Sequence, residues 1–170
     1  MGHEEWDRLW VPHRMPYIRG ESRPADTERG AHCPFCLDDG ADDSLVVARG
    51  EATFVVMNLF PYNPGHLLLC PNRHVADYTD LTPAERLELT AWQDRMMRAL
   101  RAASGPHGFN IGLNQGPAAG AGISGHLHVH VVPRWKGDSN FITTVGGART
   151  MVMLLEETRD LLARTLAGLD

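Results

Sequence analysis

The stretch Ser124–Trp135, SGHLHVHVVPRW, decides the fold prediction, because three histidines alternate in it with aliphatic residues. Successive side chains of a β-strand point to opposite faces, so His126, His128 and His130 are predicted to share one face of a strand over 126–133. The opposite face is apolar and is expected to pack on a helix. A sheet face lined with imidazoles is expected to be a site, since polar groups buried without partners are costly.

The sequence on either side of this stretch predicts four more strands and two helices. The strands are expected at 44–50, at 52–60, in the part of 62–71 that follows a turn through Pro64 and Gly65, and at 108–116, and the helices at 80–104 and 151–169. Thr82 and Glu85 fit a capping box, and Pro83 suits the first helical position. Strands joined in hairpins, together with two helices, indicate the α+β class with an antiparallel sheet of about five strands.

Composition limits the classes of partner. The 170 residues suffice for one domain, and a hydrophobic content of 43% suffices for a core. A net charge of −5 argues against nucleic-acid and anionic-membrane partners. The sequence shows no membrane-spanning apolar run and no export signal, so a cytoplasmic location is expected.

Residues 1–32 form a polar, proline-punctuated extension ahead of a domain that we place at 33–170. The extension carries Trp6, Trp10 and Tyr17 but too few apolar residues for a core of its own. We expect it to pack on the domain or on a partner chain, and a disordered tail is the alternative.

Two arrangements explain three histidines at a period of two, since histidine can be nucleophile, acid, base or metal ligand. In the first, all three bind a catalytic zinc, although they would have to converge from roughly 13 Å of strand. In the second, one is a nucleophile and its neighbours orient it or bind charge. The glycine-rich loop 116–125 favours the second arrangement, because its backbone N–H groups can approach an anion closely. Simple flexibility is the other interpretation of that loop.

The motif CPFC contributes Cys33 and Cys36, which could be a redox pair, half of a zinc site, or a chance spacing. A thioredoxin-like motif requires a helix after it, whereas here an acidic loop follows. A zinc half-site needs two more ligands, and His74 and His126 are the candidates. Two cysteines and two histidines form a closed set, so a structural zinc is predicted. Cys70, within LLLCP, is expected to be a small buried hydrophobic residue.

The run HLHVHVV resembles the signature of the histidine triad superfamily, with NPGHLLLCPNRH matching its upstream motif and GLNQGPAAGAG its phosphate loop. The resemblance covers residues 33–142. It implies a small homodimer with an antiparallel sheet that acts on the α-phosphate of nucleotide derivatives.

The resemblance also assigns roles to individual residues. His128 matches the nucleophile that becomes nucleotidylated, and His130 a residue that contacts the α-phosphate or assists the leaving group. His66 matches a histidine behind the nucleophile. The implied substrate-binding positions are Asn58 near the ribose, Asn114, Gly120 and Gly122 in the phosphate loop, His130 and Trp135. The implied zinc ligands are Cys33, Cys36, His74 and His126, and the zinc is not catalytic in the superfamily.

Attack on phosphorus requires Nε2 of His128 to be unprotonated. A backbone carbonyl that accepts a hydrogen bond from Nδ1 would fix that tautomer. This geometric requirement is a further expectation for the structure.

Within the superfamily, the chain is most similar to an actinobacterial branch that cleaves diadenosine tetraphosphate with inorganic phosphate. The segments LWVPHRMPYI and VVPRWKGDSNFITTVGG carry this similarity. It implies phosphate as the acceptor and ATP and ADP as products, with Mg²⁺ arriving on the polyphosphate. The loop AAGAGIS is poor in hydroxyl groups that could hold phosphate, which leaves water as the alternative acceptor.

Three other functions stay open. A hydrolase of the same fold would cleave dinucleoside polyphosphates or nucleoside phosphoramidates without phosphate. A non-enzymatic, zinc-stabilised nucleotide sensor would bind nucleotide and form no adenylyl-histidine. A uridylyltransferase shares the cysteine and histidine metal set but usually carries glutamine where His130 stands, which argues against it.

Overall fold

A computed structural model describes residues 33–37, 43–138 and 153–169. The strands are β1 Val46–Arg49, β2 Thr53–Met57, β3 Leu67–Pro71, β4 Gly108–Gly112 and β5 Val129–Arg134, and the helices are α1 Pro83–Ser104 and α2 Leu155–Ala167. All pairings are antiparallel, in the spatial order β1-β2-β3-β5-β4. The predicted α+β class with a five-stranded antiparallel sheet is confirmed. The expectation for 1–32 lies outside the described residues.

The last strand begins later than its alternation predicts. The sequence indicated a strand over 126–133, whereas β5 spans Val129–Arg134. The backbone N–H of Leu127 donates to the carbonyl of Val75, in the loop that follows β3, at 2.7 Å. Two of the three histidines therefore enter β5 from a loop, and only His130 belongs to the strand itself.

The two faces of the sheet are covered differently. One face packs on both helices, and its main buried side chains are Val55, Met57, Leu67, Leu69, Val129 and Val131 against Leu89, Trp92, Met96, Leu100, Leu162 and Leu166. Burial of each large apolar side chain stabilises the fold by about 1.5–3 kcal/mol. The opposite face carries a smaller cluster of Cys33, Phe35, Cys36, Phe54, Leu68 and Cys70. Because the helices occupy one face, the histidines are left to the other. Neither helix of the described ranges is long and apolar enough to cross a membrane.

The first turn of α1 is fixed by the predicted capping box and by an ion pair. The Thr82 side chain accepts from the Glu85 N–H, and the Glu85 carboxylate accepts from the Thr82 N–H at 2.7 Å. Both carboxylate oxygens of Glu85 also accept from the guanidinium of Arg73, each at 2.7 Å. These bonds, chiefly the one from Arg73, lower the pKa of the buried Glu85 to about 2. The pair therefore anchors the helix to the chain segment just before His74.

We expect Glu85→Gln to lower the free energy of unfolding by about 1–3 kcal/mol at neutral pH, because it removes the charge of a buried carboxylate. A carboxyl group whose pKa is lower in the folded state stabilises that state at pH values above its pKa in the unfolded chain. The difference in free energy of unfolding between wild type and Glu85→Gln should therefore become smaller as pH falls from 4.5 towards 2. Urea unfolding across that range measures it.

Asp94→Asn is the matched control. Asp94 forms an exposed ion pair with Arg98 on the same helix, and such a pair contributes only about 0–1 kcal/mol. If the loss of unfolding free energy in Glu85→Gln stayed constant down to pH 2, it would come from altered packing and not from the missing charge.

Candidate active site and metal centre

Four loops meet on the face of the sheet that the helices leave open. They are the CPFC segment at 33–36, the turn between β2 and β3, the segment after β3 that carries His74, and the loop 113–128 that leads into β5. The structure brings His66, His128 and His130 together here and groups the four candidate metal ligands beside them.

The ring of His128 is held in one tautomer. Its Nδ1 lies 2.9 Å from the carbonyl oxygen of His126. A carbonyl oxygen can only accept, so Nδ1 carries the proton and Nε2 of the neutral ring is unprotonated. The ring is buried, with its centroid 5.1 Å from Phe35 and 5.0 Å from His130. The geometry is the one that a nucleophilic imidazole requires.

A second pair of histidines has the opposite arrangement of protons. The backbone N–H of Tyr62 donates to Nδ1 of the fully buried His66 at 3.0 Å, so the proton of that neutral ring sits on Nε2. That Nε2–H donates to Nδ1 of His130 at 2.9 Å. The neutral ring of His130 therefore carries its own proton on Nε2, as a donor to an anion would. The resemblance to the histidine triad superfamily placed His66 behind His128, the predicted nucleophile, and the hydrogen bond of His66 goes to the neighbouring His130.

Asn58, predicted near a ribose, lies within the turn between β2 and β3. Its Oδ1 accepts from the Phe60 N–H at 2.9 Å, and its amide nitrogen lies 3.3 Å from Nδ1 of His66. Two donors thus face the same nitrogen of His66, which reinforces its tautomer. The ring of Tyr62 lies 4.6 Å from His66 and stacks on His130 at 5.7 Å.

The predicted phosphate loop turns sharply on glycines. Gly120 has a φ of 82°, which favours glycine, and follows the short 3₁₀ helix Pro117–Ala119. Asn114 and Gly122 are half-buried on either side of it. Loop N–H groups in such turns can surround an anion.

Sequence reasoning missed the clamp that holds this loop. The amide of Gln115 donates to the Asp77 carboxylate at 2.8 Å, and its oxygen accepts from the Tyr78 N–H at 2.9 Å. The clamp joins the predicted phosphate loop to the segment after His74. Its partners are 38 residues apart in sequence, so no local pattern could have indicated it.

A second missed residue is Asp138. Its carboxylate accepts from Arg134 at 2.6 and 2.8 Å and from the side chain of Asn63 at 2.8 Å, and these partners lower its pKa. Asn63 belongs to the turn that precedes His66, so the network holds that turn against the end of β5. The indole N–H of Trp135, a predicted substrate contact, donates to the carbonyl of Ser104 at 3.3 Å.

The four candidate metal ligands form a compact group. One ligand atom from each of Cys33, Cys36, His74 and His126 lies within 4.8 Å of all the others. The Cys36 Sγ is 3.2 Å from Nδ1 of His74, and the Cys33 Sγ is 3.4 Å from Nδ1 of His126. On its other side His126 donates from Nε2 to the carbonyl of Pro71 at 2.9 Å. Its Nδ1 therefore presents a lone pair to the thiols, the arrangement typical of a metal-bound histidine.

Burial suits these residues to a divalent cation. It lowers the pKa of His126 to about 4, so that ring is neutral at physiological pH, as a ligand must be. Burial also raises the pKa of the Cys33 thiol to about 11. A cation supplies the positive charge that would convert such a thiol to the thiolate. Cys70 is fully buried beside the group, and burial raises its pKa as well, as expected of an inert hydrophobic residue.

Comparison with known proteins identifies the class. Residues 40–137, more than half of the chain, match the family model of the HIT domain. The chain therefore belongs to the HIT domain family. It is 46% identical to the AP-4-A phosphorylase of Mycobacterium tuberculosis over 94% of this chain and 84% of that protein. It is 35% identical to the asymmetrical bis(5'-nucleosyl)-tetraphosphatase of Schizosaccharomyces pombe over 56% of this chain and 52% of that protein.

Solved structures agree with this family. A zinc-bound histidine triad family protein from Mycobacterium smegmatis superposes with a TM-score of 0.68 at 33% identity, over 81% of this chain and 95% of that one. A hypothetical histidine triad nucleotide-binding protein from Sulfolobus tokodaii has a TM-score of 0.67 at 24% identity, over 81% and 93%. The second likeness shows the fold alone.

We expect titration with Co²⁺ as a probe to show one ion per chain with thiolate-to-cobalt absorption. Cys36→Ser should weaken binding by more than the roughly 10–100-fold lost with an outer-shell partner. Cys70→Ala is the control and should bind as wild type does, because Cys70 lies outside the ligand group. If Cys36→Ser bound Co²⁺ as tightly as wild type, Cys36 would not be a metal ligand.

Proposed function

We propose that this chain is a nucleotidyltransferase that cleaves diadenosine tetraphosphate with inorganic phosphate and releases ATP and ADP. The observation that carries the proposal is the tautomer of His128, whose Nδ1–H is committed to the His126 carbonyl. The similarity to the Mycobacterium tuberculosis AP-4-A phosphorylase over 94% of the chain supports the substrate.

In the first step, Nε2 of His128 attacks the α-phosphorus in line. The bond between that phosphorus and its bridging oxygen breaks, ATP departs, and the imidazole is adenylylated. The Nδ1–H bond to the His126 carbonyl stabilises the positive charge that the ring acquires. His130 donates from Nε2 to an oxygen of the phosphoryl group or of the leaving group.

In the second step, an oxygen of inorganic phosphate attacks the same phosphorus from the vacated side. The N–P bond breaks, ADP departs, and Nε2 of His128 regains its lone pair. Splitting the displacement avoids direct attack of one anion on another. Backbone N–H groups of the loop around Gly120 and Gly122 lie in the predicted phosphate loop and would bind the non-bridging oxygens.

Hydrolysis is the second candidate. The similarity to the tetraphosphatase of Schizosaccharomyces pombe favours it over part of the chain. Water as the acceptor would give ATP and AMP through the same adenylyl-histidine. The two functions therefore differ only in the second step.

We further propose zinc as the metal of the Cys33, Cys36, His74 and His126 group. Two thiolates and two imidazoles make a closed tetrahedral set, which is typical of structural zinc. The zinc-bound relative from Mycobacterium smegmatis supports the choice. A bound zinc would tie the CPFC segment to β3 and β5. Mg²⁺ is proposed to arrive with the polyphosphate and to need no ligand from this chain.

We propose a cytoplasmic homodimer that binds no nucleic acid. The edge strand β4 supports a dimer, because it exposes Asn110, Ile111 and Gly112 and contains no charged residue, and such edges pair readily. The extension 1–32 is proposed to pack on the domain or on the partner chain, as its tryptophans suggest.

The acceptor is tested by product analysis. Wild-type protein incubated with diadenosine tetraphosphate should form ATP and ADP only when inorganic phosphate is present. His128→Asn should slow turnover by about a thousandfold or more and trap no adenylyl-protein on alkaline quenching, because it removes the nucleophile. His107→Asn, an exposed histidine bonded to the Lys136 N–H, is the control and should behave as wild type.

ATP with AMP in the absence of phosphate would make the chain a hydrolase. Near-native turnover by His128→Asn would contradict a mechanism through an adenylyl-His128 intermediate.

Asn58→Asp tests the proton arrangement of His66. A carboxylate would retain the bond from the Phe60 N–H but would turn an oxygen, in place of the amide N–H, towards the lone pair on Nδ1 of His66. The repulsion would weaken the bond that the Tyr62 N–H makes to that nitrogen and, with it, the placement of the bond from His66 to His130. We expect kcat to fall by about 10²-fold with little change in KM. The Asn72→Asp variant, at an exposed position near β3, should keep both constants. A change in KM alone would assign Asn58 to ribose binding.

A further inference from the structure

We propose that the metal centre positions the nucleophile, and that Phe35 and the carbonyl of His126 are the two contacts that connect them. On this proposal, Phe35 is a positioning residue for the reaction and not only a packing residue of the cysteine motif. The inference rests on the proposed function, in which His128 attacks phosphorus.

The first contact is the ring of Phe35. It lies between two candidate ligands in sequence, and the Cys36 N–H donates to the Cys33 carbonyl at 3.1 Å, which closes a tight turn. The backbone of Phe35 is therefore held in the same turn as the two cysteines. Its centroid lies 5.1 Å from His128 with the planes at 48°, and 5.7 Å from His126 with an edge-to-face angle of 80°. The buried ring of Phe35 packs against the imidazole of His128.

The second contact runs through the backbone of His126. This residue points Nδ1 at the thiols, donates from Nε2 to the Pro71 carbonyl, and accepts at its own carbonyl from Nδ1–H of His128. A metal on Nδ1 would anchor the ring at both nitrogens. The carbonyl that selects the reactive tautomer belongs to the same residue.

The thiols alone hold this arrangement weakly. Sulfur is a poor hydrogen-bond donor, and the sulfur-to-nitrogen distances within the group run from 3.2 to 3.8 Å. Coordinate bonds to an ion would fix both sulfur atoms, and with them Phe35. A metal with a stabilising role only would change the melting temperature and leave His128 as it is in the folded protein.

The metal is not expected to affect the proton positions of His66 and His130. The proton arrangement of His66 and His130 is set by the Tyr62 N–H on the turn between β2 and β3. Neither Phe35 nor the metal ligands take part in those two bonds. Loss of metal should therefore disturb the Nδ1–H of His128 and leave the protonated nitrogens of His66 and His130 unchanged.

The test compares Phe35→Leu with Phe54→Leu, each loaded with Zn²⁺ and stripped by chelation. Phe54 belongs to the same buried cluster but comes from β2, so it controls for lost aromatic volume. The first measurement is the imidazole ¹⁵N spectrum, which reports the protonated nitrogen of each histidine. The second is the single-turnover rate of adenylyl-protein formation from diadenosine tetraphosphate, with circular dichroism as the check on folding.

Loaded Phe35→Leu should bind Zn²⁺ as wild type does but form adenylyl-protein about 10- to 100-fold more slowly, with a weakened His128 Nδ1–H signal. Stripping should slow wild type and Phe54→Leu by a similar factor. Removal of Zn²⁺ from Phe35→Leu should slow adenylyl-protein formation by a smaller factor. The metal is proposed to act on His128 through Phe35, so the effects of losing both are not additive.

A loaded Phe35→Leu protein with wild-type rate and spectrum would overturn the proposal. So would stripping costs that are equal in the Phe35 and Phe54 variants. If the stripped proteins unfold, the loaded variants alone decide. Absence of adenylyl-protein in wild type would defeat the proposed function, whereas the ¹⁵N spectra would still decide whether the metal governs His128.

Discussion

The hydrogen bond from Nδ1–H of His128 to the carbonyl of His126 is the interaction on which the rest of the site depends. Neutral imidazole has one proton and two nitrogens, so committing Nδ1 to a carbonyl leaves Nε2 unprotonated. The carbonyl is held because the ring of the same residue is fully buried and bonded to Pro71. One residue thereby joins the stability of the fold to the protonation of His128, the proposed nucleophile.

The sheet makes this arrangement possible by separating its two faces. Helices cover the face that carries Val129 and Val131, and that layer contains the larger of the two buried apolar clusters. The other face is closed by loops, whose polar groups bond to one another. Because a hydrogen-bonded loop keeps its shape without a large core, the site can be polar and still rigid. The ion pair of Arg73 with Glu85 ties the two layers together next to His74, a candidate metal ligand.

Local patterns explain most of the fold and only part of the site. The capping box of α1 follows from short-range rules, and the structure confirms it. The alternation at 126–130 predicts three histidines in one strand, whereas only His130 lies in β5. The start of β5 at Val129 does not follow, because Leu127 bonds to Val75 from a distant loop. Asp138 and the Gln115–Asp77 clamp were missed for the same reason, since their partners are brought near only by folding.

The sequence by itself determined the class of fold, the identity of the three histidines and the four metal-ligand candidates, because spacing along a strand and the chemistry of cysteine and histidine are local properties. Tertiary structure alone decided which nitrogen of each ring holds the proton. That choice depends on whether a donor or an acceptor faces the nitrogen. The Tyr62 N–H faces His66 and the His126 carbonyl faces His128, and their orientation arises only when the loops pack together.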